Sequence, residues 1–398
     1  MGPYKGRLLS TAQLSENGNP NSNQNIEPSP IDNFIYALKA PETKRKYPQR
    51  LKFFFDSTFP GLDINSQSRQ FIQNAKGNDQ FVYSSFINFI VTQNRRVDRK
   101  EITPGTVRNY YKAAKLFCEM NDVIVNWKKI AKGLLREKQY GDDRAPTIGE
   151  LIQLMKYPDR RIKPIILVMT SSGIRGGAWD YLKWKHIIPI ERNGKIVAAK
   201  IIVYAGDPES YFSFITIEAY WALREWMDFR ASYGEAISEE SWLMRDLWQT
   251  TQTNKRHGTA GVIGYPKPLK SSGIKSLMER AIRTQGVGKI LKEGTNHNTR
   301  REWKVMHGYK KWFNGVLVNA NVNHTKKERL MGHDTGLENN YFKPTFQDLF
   351  DTYLEVSDEL VLNEEFRLKQ RVQKLEIEKN QFECLAAQIA ALEQKIKK

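Results

Sequence analysis

The residues that could do chemistry in this chain are concentrated towards its C-terminal end. Two short motifs between positions 307 and 341 contribute a pair of histidines, two adjacent lysines and a terminal tyrosine to this set, and an arginine lies far upstream. The residues concerned are Arg175, His307, Lys310, Lys311, His333 and Tyr341. A tyrosine hydroxyl can act as a nucleophile, cations can hold a phosphate and histidines can move protons. Together these residue types can break a phosphodiester bond without a metal ion.

The same chemistry explains why these residue types would occur together. Tyrosine attack produces a phosphotyrosine whose bond energy is close to that of the DNA linkage it replaces, so rejoining needs no ATP. Negative charge collects on the non-bridging oxygens in the transition state, and fixed cations lower the barrier. An acid must also protonate the departing 5′ oxygen.

Composition indicates a folded protein with a polyanionic partner. The chain has 398 residues, 40% of them hydrophobic and 11% aromatic, which is enough for two or three domains with a sizeable core. Its 62 Lys and Arg outnumber 44 Asp and Glu, which gives a net charge of +18. Such a surplus favours double-stranded DNA as the partner, because each phosphate contact releases a counterion. The alternative is a basic protein whose charged surface is merely solvated.

Several other classes of protein are not favoured. The two cysteines, Cys118 and Cys384, lie too far apart to suggest a disulfide framework or a metal cluster. No apolar run approaches the ~20 residues of a membrane span, and the N-terminus lacks the apolar core of a signal peptide. The segment Gly286-Val-Gly-Lys lacks the Ser or Thr of a phosphate-binding loop. We therefore expect a cytoplasmic, nucleoid-associated protein that needs no metal, cofactor or small-molecule substrate.

Changes in composition divide the chain into four parts. Residues 1–32 are rich in Asn, Ser, Gly and Pro and are expected to form a disordered tail. Residues 33–140 repeat aromatic residues at helical spacing with basic residues beside them, which suits a helical DNA clamp. A polar linker follows, and residues 141–358 form the second domain. Residues 359–398 carry apolar residues at roughly heptad spacing and are predicted to be one long helix, either a coiled coil with another protomer or a helix folded back on its own domain.

The second domain mixes helices with a small sheet. Thr147 is a candidate cap for a helix at 148–156, and the apolar run 165–171 predicts a buried helix. The Asn193-Gly194 pair between two β-rich runs predicts a hairpin, and a second turn near Gly206 leads to a third strand. The fold class expected is mainly α with a small antiparallel β-sheet.

Three stretches of this chain resemble the tyrosine recombinases, the phage-type integrase family, and in particular its archaeal branch. Thr170-Ser-Ser-Gly-Ile-Arg175 is similar to the family's T-G-x-R segment, His307-Gly-Tyr-Lys310 to its H-x-x-R motif, and Leu330-Met-Gly-His333 to its L-x-G-H motif. Tyr341 lies where the family places its nucleophile. The order and spacing of these motifs along residues 170–345 make the combination far more specific than any one of them.

The resemblance implies a fold and a mechanism. A helical N-terminal core-binding domain and a tyrosine-recombinase catalytic domain would clamp duplex DNA, and four protomers would assemble on two sites. Tyr341 would form a 3′-phosphotyrosyl link while Arg175, Lys310 and His333 stabilise the phosphorane. His307 would assist proton transfer or phosphate binding.

The chain departs from the family pattern at several positions. Lys310 stands in place of an arginine, which keeps the charge but loses the bidentate fork, and Ala178 replaces an acid that often supports the first arginine. The family's general-acid lysine belongs in the turn between the second and third strands, where this chain has none. Lys200 is the first candidate to replace it and Lys195 the second, and either could equally be an exposed strand lysine.

The nucleophile and the activity have alternatives too. The usual spacing from the Gly-His histidine would fall on Phe342, and Tyr353 is a second candidate after Tyr341. A catalytically weak or inactive DNA-binding protein on the recombinase fold is the main alternative to a recombinase. Relaxation of supercoiled DNA in the manner of a type IB topoisomerase is a third.

Overall fold

The computed structural model describes residues 28–136, 143–248, 266–292, 300–333 and 342–368, together with short pieces between 372 and 386. The chain forms two compact units, Met1–Gln139 and Tyr140–Lys398. Tyr341 lies outside the described residues. So do most of the expected N-terminal tail, most of the linker and the glycine-rich sequence 257–264.

The N-terminal unit is helical throughout its described residues. Most of its helices begin at a side-chain cap, such as Asp63 or Thr103. Phenylalanines from four of its helices pack edge-to-face around Phe54 and Phe55 in one core. The helices are α1 (Pro30–Tyr36), α2 (Pro41–Thr58), α3 (Ile64–Ala75), α4 (Asp79–Asp98), α5 (Pro104–Glu119) and α6 (Trp127–Ala131).

The C-terminal unit combines helices with a small sheet. Its helices are α7 (Ile148–Met155), α8 (Ile162–Ser172), α9 (Ile217–Ser232), α10 (Ser271–Thr284), α11 (Val305–Asn319), α12 (His324–Leu330) and α13 (Phe346–Leu360). Its strands are β1 (Ile187–Arg192), β2 (Lys195–Val203), β3 (Tyr211–Thr216), β4 (Ile290–Lys292) and β5 (Arg300–Arg301). Thr147 and Glu150 form the capping box of α7. The fold class, mainly α with a small antiparallel sheet, is confirmed, and the short β4–β5 ribbon was not predicted.

The sheet of β1, β2 and β3 is antiparallel in chain order, and its two faces enter different cores. Asn193 and Gly194 both have positive φ, at 52° and 73°, as a two-residue type I′ hairpin requires. One face of β2 packs with α8 and α9 in the larger core. The other face contributes to a second core with α11 and α13. Because side chains alternate along a strand, this division decides which residues of β2 and β3 share a surface.

A set of four charged residues, here called the paired cluster, lies near the end of α9. It consists of Arg230, Glu235, Arg245 and Asp246. Glu235 accepts hydrogen bonds from Arg230 Nε at 3.0 Å and from Arg245 Nη1 at 2.9 Å, and both arginine side chains are inaccessible to solvent. Asp246 lies 3.2 Å from Arg245 Nη2. Each cation here has an acid within hydrogen-bonding distance.

The first described residues of the C-terminal unit are fastened to the start of α11. Arg144 donates to both oxygens of Glu150 at 2.7 Å and to Glu302 at 2.6 Å. Asp143 accepts from Lys311 at 3.0 Å and lies 3.6 Å from Lys304. None of the described helices is long and apolar enough to cross a membrane.

Candidate active site

A tight turn after α8 brings Arg175 to the surface. Gly173 ends the helix with a φ of 63°, and a Cβ there would lie 2.3 Å from the ring of Phe313 in α11. Glycine is therefore required both for the left-handed backbone and for the close approach of α11. Arg175 is exposed, and no described residue forms a hydrogen bond or an ion pair with it. Ala178, three residues later, is completely buried in the apolar core.

Helix α11 carries His307 and Lys310, which lie one turn apart and therefore on the same side of the helix. The two side chains differ in environment, because His307 is exposed and Lys310 is only 6% accessible. Lys310 Nζ donates a hydrogen bond of 3.0 Å to the carbonyl oxygen of Met331. That bond joins α11 to the residues that follow α12.

The electrostatic surroundings of Lys310 favour loss of its proton. Burial and, to a smaller extent, the positive charge of Arg175 lower its pKa to about 8, while Glu328 acts in the opposite direction. Partial removal of its ring from water also lowers the pKa of His307, with a further contribution from the charge of Lys311. His307 is therefore mostly neutral at neutral pH.

His333 is oriented by its neighbours in sequence and space. Gly332 has a φ of 63°, and a Cβ at this position would lie 2.3 Å from the ring of Tyr211. The Nδ1 atom of His333 lies 2.5 Å from Glu328 Oε2, and Lys327 Nζ lies 3.3 Å from Glu328 Oε1. No described residue bonds to Nε2 of His333, so that nitrogen is available for a substrate.

Glu328 and Tyr211 are site residues that sequence reasoning missed. Burial raises the pKa of Glu328, but hydrogen bonds from His333 and Lys327 outweigh this effect and the net shift is downward. Glu328 is thus a carboxylate at neutral pH. The Tyr211 hydroxyl is buried and has no hydrogen-bond partner among the described residues. Two signals in the sequence could have identified them. Glu328 is an acid about one and a half helical turns before His333, and Tyr211 is a tyrosine directly after the turn between β2 and β3.

Arg175, Lys310, Glu328 and His333 are called the open cluster below. The structure brings Lys310 within electrostatic reach of both Arg175 and His307, and Met331 and Glu328 connect this group to His333. In contrast to the paired cluster, the cation Arg175 has no acid partner among the described residues. Such an arrangement can bind an anion and offer it an oriented imidazole.

Lys200 lies apart from this group. It is opposite Phe214 on β3, on the sheet face away from Tyr211, and its amine lies 5.1 Å from the ring centre of Phe212 and 5.6 Å from that of Phe346. Lys195, the second candidate, is exposed at the start of β2. The structure therefore does not place either lysine beside Arg175 or Lys310.

The tyrosine alternatives are distinguished by burial. Tyr353 is fully buried in α13, and its hydroxyl donates a hydrogen bond of 2.9 Å to the carbonyl of Ser171. Burial raises its pKa well above 10, so Tyr353 is unsuited to act as a nucleophile. Tyr341 lies outside the described residues, and its assignment as the nucleophile stays a prediction. Phe342, the next residue, is 44% exposed.

Comparison with known proteins gives similarity at the level of solved structures. The chain is similar to the XerH site-specific recombinase bound to a palindromic difH substrate, at 13% identity, covering 88% of this chain and 97% of that one, with a TM-score of 0.45. A lambda integrase dimer bound to a COC′ core site matches at 11% identity, over 75% and 94% of the two chains, with a TM-score of 0.42. The XerA recombinase matches at 14% identity, over 87% and 97%, with a TM-score of 0.33. At these sequence identities and TM-scores the matches describe similarity alone, and no function is assigned to this chain from them.

No family model matches the chain, and no curated protein sequence matches it. The central features of the site are the guanidinium of Arg175, which has no partner among the described residues, the buried amine of Lys310 and the oriented imidazole of His333.

Proposed function

We propose that this protein is a tyrosine-type site-specific DNA recombinase of the phage integrase kind, and of its archaeal branch. It cleaves and rejoins DNA through a 3′-phosphotyrosine intermediate, without metal or ATP. The observation that carries the proposal is the open cluster, in which Arg175 has no acid partner among the described residues and lies within electrostatic reach of the buried Lys310. Cations held without a matching acid favour an anionic ligand such as the scissile phosphate.

Each residue has a role in this mechanism. Arg175 holds a non-bridging oxygen of the phosphate, and Nε2 of His333, oriented by Glu328, contacts the phosphorane. His307, mostly neutral, assists in phosphate binding or proton transfer. Tyr341 attacks phosphorus, and the phosphotyrosine bond stores the energy for rejoining.

The partners follow from charge and from the reaction. A net charge of +18 suits duplex DNA, which the helical unit at 33–140 and the catalytic unit at 141–358 would clamp together. Exchange of strands between two sites requires four protomers, so we propose a tetramer that forms on DNA in the cytoplasm. The apolar positions Leu368, Val372 and Leu375 are 53–58% exposed, which favours contact of the segment 359–398 with another protomer.

The decisive experiment is capture of the covalent intermediate. A pooled library of duplexes is incubated with the full chain. Each duplex carries a nick near a candidate cleavage site, because the short fragment released by cleavage is then lost and rejoining is prevented. Covalent adducts are separated on a denaturing gel and their DNA is sequenced. We expect an adduct on a defined sequence that disappears in Tyr341→Phe and persists in Tyr353→Phe.

One observation favours the alternative of a weak or inactive DNA-binding protein. Lys310 replaces an arginine and its amine is engaged with the carbonyl of Met331. On that alternative the library would yield sequences bound tightly by the wild type without any adduct, and the enzymatic proposal would then be wrong. Relaxation of arbitrary supercoiled plasmid would instead indicate topoisomerase-like activity without site specificity.

A further inference from the structure

Lys310 has surroundings that suit a proton donor better than a simple phosphate ligand. We propose that Lys310 is the general acid that protonates the leaving 5′ oxygen, in the place of a lysine from the β2–β3 turn. This inference rests on the proposed function, since it assigns a step of that reaction.

The first support is the position of the amine. Lys310 is the only buried lysine among the described residues, and its Nζ is held by the Met331 carbonyl at 3.0 Å. It lies within electrostatic reach of both Arg175 and Glu328. A phosphate bound to Arg175 would therefore come close to an amine that is fixed in direction and shielded from water.

The second support is that other candidates are poorly placed. The β2–β3 turn, residues 204–210, is described and contains no lysine. Lys200 lies over the rings of Phe212 and Phe346, and Lys195 is exposed. His307 is mostly neutral near pH 7, because partial removal of its ring from water and then Lys311 lower its pKa, so it has little acidic proton to give.

The step balances without any further reactant. The Tyr341 hydroxyl gives its proton to the neutral imidazole of His307, its oxygen forms a bond to phosphorus, the P–O5′ bond breaks, and a proton moves from Lys310 to the 5′ oxygen. The products are a phosphotyrosine, a 5′-hydroxyl, a neutral amine and a protonated imidazole. Because the pKa of Lys310 is lowered to about 8 by burial, this amine is a stronger acid than an ordinary lysine, and it can remove the same proton during rejoining.

A change of leaving group separates proton donation from phosphate binding. The substrate is the identified site with sulfur in place of the bridging 5′ oxygen, since a thiolate leaves without being protonated. With oxygen, we expect Lys310→Ala to form the adduct ~10²–10⁴-fold more slowly than the wild type. With sulfur, we expect the same variant to come within about tenfold of the wild type, since only the acid step is bypassed.

Two further variants make the result specific. Lys310→Arg keeps a positive charge but donates its proton poorly, so it should be slow with oxygen and close to wild type with sulfur. Arg175→Lys changes phosphate binding, so it should be equally impaired on both substrates. DNA affinity and melting temperature confirm that every variant is folded.

Two outcomes would overturn the inference. Equal impairment of Lys310→Ala on both substrates would make Lys310 a phosphate ligand only. Rescue by sulfur in His333→Gln, and not in Lys310→Ala, would identify His333 as the acid. If the wild type forms no adduct with either substrate, the proposed function itself fails, which is a distinguishable result.

Discussion

The paired cluster and the open cluster lie in the same unit, and they match their charges differently. In the paired cluster Glu235 forms ion pairs with two inaccessible arginines, Arg230 and Arg245. Asp246 forms a second ion pair with Arg245. In the open cluster Glu328 is engaged by His333 and Lys327, while Arg175 has no acid partner among the described residues. Buried charge that is matched within the protein serves the fold, whereas a cation left unmatched is available to a ligand.

The largest effect should come from removing the unmatched cation. Arg175→Ala should lower the rate of adduct formation by ~10³–10⁵-fold, because no other group replaces the guanidinium on the phosphate. The side chain is exposed, so the free energy of unfolding should change by less than about 0.5 kcal/mol. Quench-flow measurement of adduct on a nicked substrate, beside thermal unfolding, tests both parts. A variant that unfolds rather than loses activity would break the comparison.

The paired cluster should respond in the opposite way. Glu235→Gln leaves two buried guanidinium groups against a neutral amide, and we expect a loss of about 3–5 kcal/mol in unfolding free energy. Glu225→Gln, which removes an exposed partner of Lys163, is the control and should change stability by less than about 1 kcal/mol. Urea unfolding measures both. A small effect of Glu235→Gln would show that the cluster is not a structural element.

Burial of the charged amine of Lys310 should lower the stability of the folded protein. A pKa lowered from 10.5 to about 8 means that protonated Lys310 destabilises the folded state. We expect Lys310→Met to stabilise the protein by roughly 1–3 kcal/mol at pH 7, after allowing for the lost hydrogen bond. The folded state binds fewer protons than the unfolded state between pH 8 and 10.5, so the wild type should gain stability relative to the variant over that window.

Unfolding of both proteins at several pH values tests this prediction. The exposed substitution Lys195→Met should show no comparable difference at any pH. If Lys310→Met differs from the wild type equally at pH 7 and pH 10.5, burial of the charge is not the cause.

The smallest effect concerns the orientation of His333. Glu328→Gln keeps an acceptor for Nδ1 but removes the charge, so adduct formation should slow by about 10-fold, the order of one charge-assisted hydrogen bond. Glu328→Ala should slow it further, and DNA affinity should be unchanged in both. Recovery of most activity in Glu328→Gln relative to Glu328→Ala would identify Glu328 as a positioning residue. Equal rates in the two variants would contradict that role.

Local features of the fold were predictable because they depend on neighbouring residues. The cap at Thr147 and the Asn193-Gly194 turn each act over a few positions, and the α7 helix and the hairpin formed as expected. The orientation of the sheet faces was not predictable in the same way. Alternation of side chains shows that Lys200 and Val203 lie on opposite faces of β2, but the packing of the two cores decides which face lies towards the site.

The sequence named candidate site residues but could not give their arrangement. Motif spacing named Arg175, Lys310 and His333 as candidates, and the structure shows the contacts around each of them. Burial of Lys310, the carboxylate of Glu328 beside His333 and the ring of Tyr211 against Gly332 arise from contacts between α11, α12 and β3. Such tertiary contacts leave no periodic pattern in a single sequence.

The attachment of Asp143 and Arg144 has a mechanical consequence. These residues are the first described part of the C-terminal unit, and their ion pairs hold Glu302, Lys304 and Lys311 around the start of α11. A pulling force applied to the chain at Asp143 would therefore act on the start of α11 as well as on α7, to which Arg144 is bound through Glu150. Because α11 carries Lys310, such a force would also act on the helix that positions this amine.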